Sequence, residues 1–414
     1  MKIGVGISDF ARIVKDKYIY VDKTSFIEKL EDYLYSAFFR PRRFGKSLLV
    51  STLANYYDVK KKSEFSSLFA RTYIGDNPTK NRNSYCILHF DFSSISWSDS
   101  IPDAIHNAVY EEAQRFLDAY DNGIKMDNML SSPQMIDRIF TVHKGEPIYV
   151  FIDEYDKFAN TAIGEILASL REIIKAGGYF RCFFEKLKFG TRLGKIHRIF
   201  ITGISPLVMD SLTSGFNIST DLSRRIIFNE MVGFTHSETK SALLKLGKSE
   251  NEVGALMATL SQKCNGYRFS ISAPETLFNS GLLFENLVNQ SGDVDVDFSK
   301  NALSDFETLK RIFSLVKPVS SLIKPVSSFA PSANSNEREE LRKVIERLLN
   351  GHPIKMPLNR VFMLHDFSFR DLCSLLFYMG YLTPSKDEFG LPQLTIPNSV
   401  IEKILRSYFP ILFA

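Results

Sequence analysis

The stretch that most limits what this chain can fold into is Phe38–Ser47, FFRPRRFGKS. It stands between YSAFF (35–39), a short apolar run with the texture of a buried strand, and SLLVSTLANYY (47–57), whose apolar residues recur at helical spacing. A strand, a basic loop ending in Gly-Lys-Ser and a helix make a unit that cradles phosphate. Backbone N–H groups gather at the helix N-terminus, where the dipole also favours negative charge. In that reading the backbone of Phe44, Gly45, Lys46, Ser47 and Leu48 wraps the phosphates. Gly45 permits close approach, Lys46 reaches the β and γ phosphates, and Ser47 places its hydroxyl on Mg2+. Arg40 stands where the usual pattern has its first glycine, and RRFGKS also reads as a plain basic turn before a helix.

A second segment weighs against the plain turn. PIYVFIDEYDKF carries four consecutive apolar residues, Tyr149 to Ile152, and then Asp153-Glu154, about 100 residues after the GKS loop. In an ATPase of this kind a strand next to the loop ends in a carboxylate that holds Mg2+ through water, and an adjacent Glu polarises the attacking water. Asp153 fits the first role and Glu154 the second; the plainer alternative is an acidic pair capping the next helix. Lys46, Asp153 and Glu154 are the candidate catalytic residues, with Ser47 and Asp153 as the candidate metal ligands. A third strand, RIFITGISP, offers Thr202 and Ser205 as polar groups at a strand end between the two motifs, placed to sense the γ-phosphate, or as a simple hydroxyl-capped strand end. Arg40, Arg42 and Arg43 are candidates to contact phosphate or to pair with nearby carboxylates. Arg224 or Arg225 is a candidate finger acting in cis or in trans.

The surroundings fit an α/β domain with a parallel sheet. CILHFDF (86–92), PIYVFID (147–153) and RIFITGI (198–204) are further strand candidates, each ending where ligands sit in open α/β sheets. From about Phe234 the pattern turns to successive amphipathic helices, the second closing on Asn265-Gly266. Residues 317–336 repeat KPVSS and are rich in Ser and Pro, an exposed loop. The tail reads as a helix (FRDLCSLLFYMGYL), a polar turn, a short strand (QLTIP) and a closing helix, an order that suits a winged-helix-like module. The 35 Phe and 17 Tyr imply an aromatic interior. A net charge of +4 is too mild to imply a nucleic-acid or membrane partner, and the four cysteines lack metal-ligand spacing. With no leader-like N-terminus and no membrane-length apolar run, the expected location is cytoplasmic.

Several ordered motifs carry a family resemblance: Gly6-Ile7-Ser8-Asp9-Phe10, Tyr20-Val21-Asp22-Lys23-Thr24, RPRRFGKSLL, LHFDFSSI, FIDEYDK, FITGISPLVMDSLTSGFNIS, GFTHSE, Asn265-Gly266-Tyr267-Arg268-Phe269 and SLLFYMGYLT. Together they resemble the bacterial AAA-ATPase-like family over roughly residues 3–410. The family's own wording has arginine at position 40. The resemblance implies a P-loop NTPase core (1–233), a helical lid (234–316), a Ser/Pro-rich loop (317–336) and a winged-helix-like region (337–414). It would bring Asp9, Phe10 and Asp22 to Thr24 near the adenine. Members are often joined to a C-terminal PD-(D/E)XK nuclease-like domain, which would begin near Ser407–Pro410. No strand-borne Asp with a following Glu-x-Lys pair lies downstream of the lid, so nuclease activity is not expected.

The expected function is therefore ATP binding with Mg2+ and slow hydrolysis, used as a nucleotide-controlled switch. The alternative is a non-catalytic module whose C-terminal half meets nucleic acid or a protein through KVIERLL and EKILRS, although such charge runs are usually solvated helix faces.

Overall fold

The computed structural model describes residues 1–94, 101–157, 178–206, 216–288, 337–358 and 369–413. Five parallel strands form the central sheet: β1 (Tyr35–Phe39), β2 (Cys86–Asp91), β3 (Ile148–Asp153), β4 (Ile196–Gly203) and β5 (Thr220–Asp221), in the order β2-β3-β4-β1-β5. β3 is buried at every residue, as an inner strand covered on both faces must be, whereas edge strand β2 alternates buried and half-buried positions. β4 lies between β1 and β3. The acid-bearing strand is therefore one removed from the strand that feeds the GKS loop. This corrects the expectation that the two are neighbours. The insertion sets Phe38 and Ile152 opposite Thr202 and Ile201 of the shared neighbour, so all three strand ends reach the same edge.

Helices cover the sheet. They include α1 (Phe10–Lys15), α2 (Lys46–Tyr57), α3 (Ile101–Tyr120), α4 (Ser132–Val142) and α5 (Tyr179–Arg192). The helical segment after Phe234 follows with α6 (His236–Lys245), α7 (Glu250–Cys264) and α8 (Ser280–Val288). Reciprocal caps start two of these, Thr235 with Glu238 and Ser249 with Glu252, each satisfying orphan amides of the first turn. The tail holds α9 (Glu337–Leu349), α10 (Phe369–Met379), an antiparallel pair β6 (Thr383–Lys386) and β7 (Pro392–Thr395), and α11 (Ser399–Phe413).

The sequence reading missed β6, having run the preceding helix through Leu382. Gly380 stops that helix: its φ of +86° is left-handed, and a Cβ there would lie 2.8 Å from Pro41 in the GKS loop. One hydrophobic cluster runs from Phe10 through the sheet to Leu405, and a second joins Phe234, α7 and α8. The tail thus shares the core of the sheet, as do Tyr267, Phe269 and Leu277, while Phe234 and α6 to α8 build a second core. The KPVSS loop lies outside the described residues.

Candidate functional site

The GKS loop leaves β1 buried and turns twice through the left-handed region, at Arg43 (φ +67°) and Gly45 (φ +94°), before α2 begins. Its carbonyls are all engaged inside the protein. Those of Arg40 and Pro41 accept from Lys46 Nζ at 3.0 and 3.2 Å, and that of Arg42 accepts from Asn279 Nδ2 at 3.2 Å. The carbonyl of Arg43 takes Gly281 N (2.9 Å) and Ser280 Oγ (3.1 Å), and that of Phe44 takes Gly233 N (3.1 Å). The carbonyl of Gly45 closes the first turn of α2 with Leu49 N at 3.0 Å. With its acceptors committed, what the loop has to offer a ligand is N–H, the polarity an anion needs.

A cleft of about 480 Å3 opens over this loop. Its polar lining includes Arg43, Gly45, Lys46, Ser47 and Glu154, and its apolar lining includes Ile13, Ile19, Val21, Met231, Val232 and Phe284. Gly4 to Ser8 also line it. Volume and mixed lining suit a small organic ligand with a charged end. Lys46 is buried, and its ammonium stands 3.8 Å from Glu154 Oε1. Glu154 follows the last residue of β3 and is itself left-handed, at φ +53°.

Asp153, 3% exposed, lies just beneath. Its Oδ1 accepts from Glu154 N at 3.0 Å and from the hydroxyl of Thr202. Thr202 is thus coupled to the acid pair from β4. Ser205 is elsewhere: its amide and hydroxyl point at the Asp156 carboxylate, at 2.9 and 3.4 Å, and it does not line the cleft.

The arginines divide. Arg40, one of the three candidates to contact phosphate or a carboxylate, does not line the cleft. It is fully buried between the rings of Phe38 (4.2 Å) and Phe269 (3.9 Å) and donates to the carbonyls of Phe39, Ser223 and Phe228. Burial, partly opposed by Asp221, pulls its guanidinium down to about 9, so it remains charged at neutral pH. Arg42 contributes its carbonyl, and its side chain is not part of the cleft lining. Arg43 does line the cleft, and its Nη1 pairs with Glu285 Oε2 of α8 at 2.5 Å. Phe44 lines the cleft and anchors the loop edge-on against Tyr267 and Phe269. Arg224 donates to the Leu358 carbonyl and Arg225 to the Tyr33 hydroxyl, each outside the cleft.

Of the N-terminal residues expected near the base, only Lys23 lines the cleft. Its ammonium meets Glu238 Oε2 at 2.6 Å, and burial lowers its pKa against the partial restoring pull of Glu238. Asp9 caps α1, Phe10 is core, Asp22 holds the amides of Thr24 and Tyr73, and Thr24 holds that of Ile74. Sequence reasoning missed Asn279, Ser280, Gly281 and Glu285. The signal present was Asn279-Ser280-Gly281, a cap followed by small residues at a helix start. Among the described residues no group of three His, Cys, Asp or Glu side chains could hold a metal, and no helix is long and apolar enough to cross a membrane.

A family model described as "Predicted AAA-ATPase" matches residues 4–213. An uncharacterized protein in the vnfD 5' region of Azotobacter chroococcum mcd 1 is 26% identical over 293 residues, 69% of this chain and 52% of that protein. The chain therefore spans about half the length of the curated relative it matches. Among solved structures, the Walker-type ATPase PABY2304 of Pyrococcus abyssi aligns over 93% of this chain and 94% of its own, with a TM-score of 0.42 and 13% identity. The Drosophila ORC bound to AT-rich DNA and Cdc6 aligns over 97% of this chain and 93% of its own, with a TM-score of 0.26 and 12% identity.

Proposed function

The chain belongs to the predicted AAA-ATPase family, matched over residues 4–213, and from that premise we propose that it binds ATP in the cleft and hydrolyses it slowly with Mg2+, as a nucleotide-controlled switch. The observation that carries the reading is the meeting of Lys46 and Glu154 at 3.8 Å, two strands apart in the sheet yet side by side in one cleft. A cation for transferred phosphate and a carboxylate for a water are the two charges such a reaction needs in one place.

In this reading the backbone from Phe44 to Leu48 cradles the phosphates and Lys46 neutralises them. Arg43 exchanges Glu285 for phosphate. Glu154 orients and deprotonates the attacking water, and Thr202 fixes the orientation of Asp153. In this reading Ser47 and Asp153 would offer hard oxygens to Mg2+, with phosphate and water supplying the remaining ligands. Bound there, Mg2+ would neutralise charge on the transferred phosphate. The segment 234–316 is read as a lid, and 337–414 as a winged-helix-like region that carries the nucleotide state to a protein or nucleic-acid partner.

ATP titration and Mg2+-dependent phosphate release decide the matter. Wild type should bind ATP, Lys46→Ala should bind at least about tenfold more weakly, and Glu154→Gln should bind normally but turn over at least about a hundredfold more slowly. Protein that fails to bind ATP, or binds it equally well as Lys46→Ala, overturns the reading. Equal turnover in Glu154→Gln removes that residue from the base role.

A further inference from the structure

Glu154 occupies a backbone region that suits glycine, with φ at +53°. A non-glycine residue stays there only when its neighbours leave it no alternative. Here the residues on its C-terminal side are tied to the end of β4. Tyr155 N donates to the Thr202 carbonyl at 3.1 Å and Tyr155 Oη to the Ser205 carbonyl at 2.6 Å. The Asp156 carboxylate accepts from Ile204 N at 3.1 Å and from Ser205 N at 2.9 Å. Tyr155, Asp156 and Ser205 are all fully buried. Gly203 leaves the room for this: a Cβ on it would lie 2.5 Å from Asp156 Oδ1 and 2.6 Å from the Tyr155 ring.

We propose that Asp156, seconded by Tyr155, is a positioning residue that locks the turn 153–156 so that Glu154 is held left-handed and facing Lys46. The carboxylate is the chemical requirement. Two backbone N–H groups converge on it: Oδ2 accepts from both and from the Ser205 hydroxyl, and Oδ1 accepts from Ile204 N, so the ionised acid meets these donors with both oxygens. An amide of the same shape can keep the Oδ2 set but puts its NH2 against Ile204 N in place of Oδ1, so the grip at β4 is weakened with little change in volume. The proposal rests on reading Glu154 as the group that acts on water, but the hold on its backbone can be measured without any turnover.

The first arm is kinetic. Asp156→Asn should lower kcat about tenfold or more and leave the affinity for a fluorescent ATP analogue within about threefold; a merely structural residue would lower both together. The second arm is a thermal double-mutant cycle with Glu154→Gly. With the native Glu154, breaking the lock recovers backbone strain; once glycine replaces it there is none to recover. Asp156→Asn should therefore cost about 2 °C more in the Glu154→Gly background than in the wild-type background. Equal Tm losses in the two backgrounds, or wild-type kcat in a folded Asp156→Asn protein, overturn the proposal. If Asp156→Asn does not fold, Tyr155→Phe, which removes only the hydroxyl bond to Ser205, runs the same cycle with the same criterion. If Glu154→Gln turns over like wild type, the base role fails and the cycle alone decides whether Asp156 holds the turn.

Discussion

The acid turn at residues 153–156 and the GKS loop at residues 40–46 face one cleft and are held in opposite ways. The turn is bonded to the end of β4, through Thr202, Ile204 and Ser205, by contacts that belong to the sheet itself. The outer half of the loop is bonded to groups far along the chain, Gly233 and the start of α8 at Asn279 to Gly281. Once the sheet folds, the carboxylates have their place. The outer half of the GKS loop, from Arg42 to Phe44, takes its bonds from Gly233 and the start of α8, while its root at Arg40 and Pro41 is held by Arg40 and Lys46. Under the proposed switch, a movement of α8 would reach the loop before the acids.

The root of the loop provides the hardest test of that contrast, because Arg40 ties it to the sheet side. Arg40→Met leaves the carbonyls of Phe39, Ser223 and Phe228 without their buried donor and should cost about 3–5 kcal/mol in chemical unfolding. Arg40→Lys should recover little, since an ammonium cannot span three carbonyls while stacked between two rings. Near-normal stability of Arg40→Met would mean the root is not pinned as described.

A matched pair of glycines compares the two regions directly. Gly203→Ala drives a methyl into Asp156 and Tyr155, which the sheet does not let move, and should cost about 1–3 kcal/mol. Gly281→Ala drives one to 2.6 Å from Arg43 Cβ and 2.9 Å from the Arg43 carbonyl oxygen, at a contact between distant segments and not within the sheet; it should cost about 1 kcal/mol and weaken ATP-analogue binding several-fold. Similar stability losses with no change in binding would erase the distinction. A gentler cut at the same clasp is Asn279→Ala, which removes the cap on Leu282 N together with the bond to Arg42 and should cost about 1 kcal/mol.

The smallest effect serves as a control on the β2 side of the sheet. Burial raises the Glu112 carboxyl to about 7, against the opposing pull of Arg115 and with help from Asp91. A folded-state pKa above the unfolded value means this group's stabilisation is complete below about 4.5 and is lost as pH rises through about 7. Glu112→Gln should therefore raise Tm by a degree or two at pH 8, leave it near wild type at pH 4, and leave the Gly203/Gly281 contrast intact.

Much of this was legible from residue order. The strands were readable because β3 is buried on both faces and so consists of unbroken apolar residues, and GKS marked its own helix start. Strand adjacency was readable only in part: nothing in PIYVFID itself says that β4 will slip between it and β1, although a polar end of RIFITGISP between the two motifs was expected from the ATPase pattern. Nor was the fate of the arginines. Arg40, Arg42 and Arg43 look alike in a string, and what separates them is the position of Phe269, Asn279 and Glu285, more than 200 residues away. Hydrophobic period reports on local faces, whereas the partner of a polar side chain is set by tertiary contact.

The folded-back lysine has a consequence for traffic through the cleft. Its ammonium already rests on the carbonyls of Arg40 and Pro41 at 3.0 and 3.2 Å, withdrawn from bulk water. An arriving anion meets a cation whose dehydration was completed during folding, so entry is a trade of neighbours and not a stripping of solvent. Departure is equally eased, since the lysine has a seat to return to. In the proposed cycle such a site would give up part of its gross attraction and gain reversibility, so that a spent nucleotide could be exchanged for a fresh one.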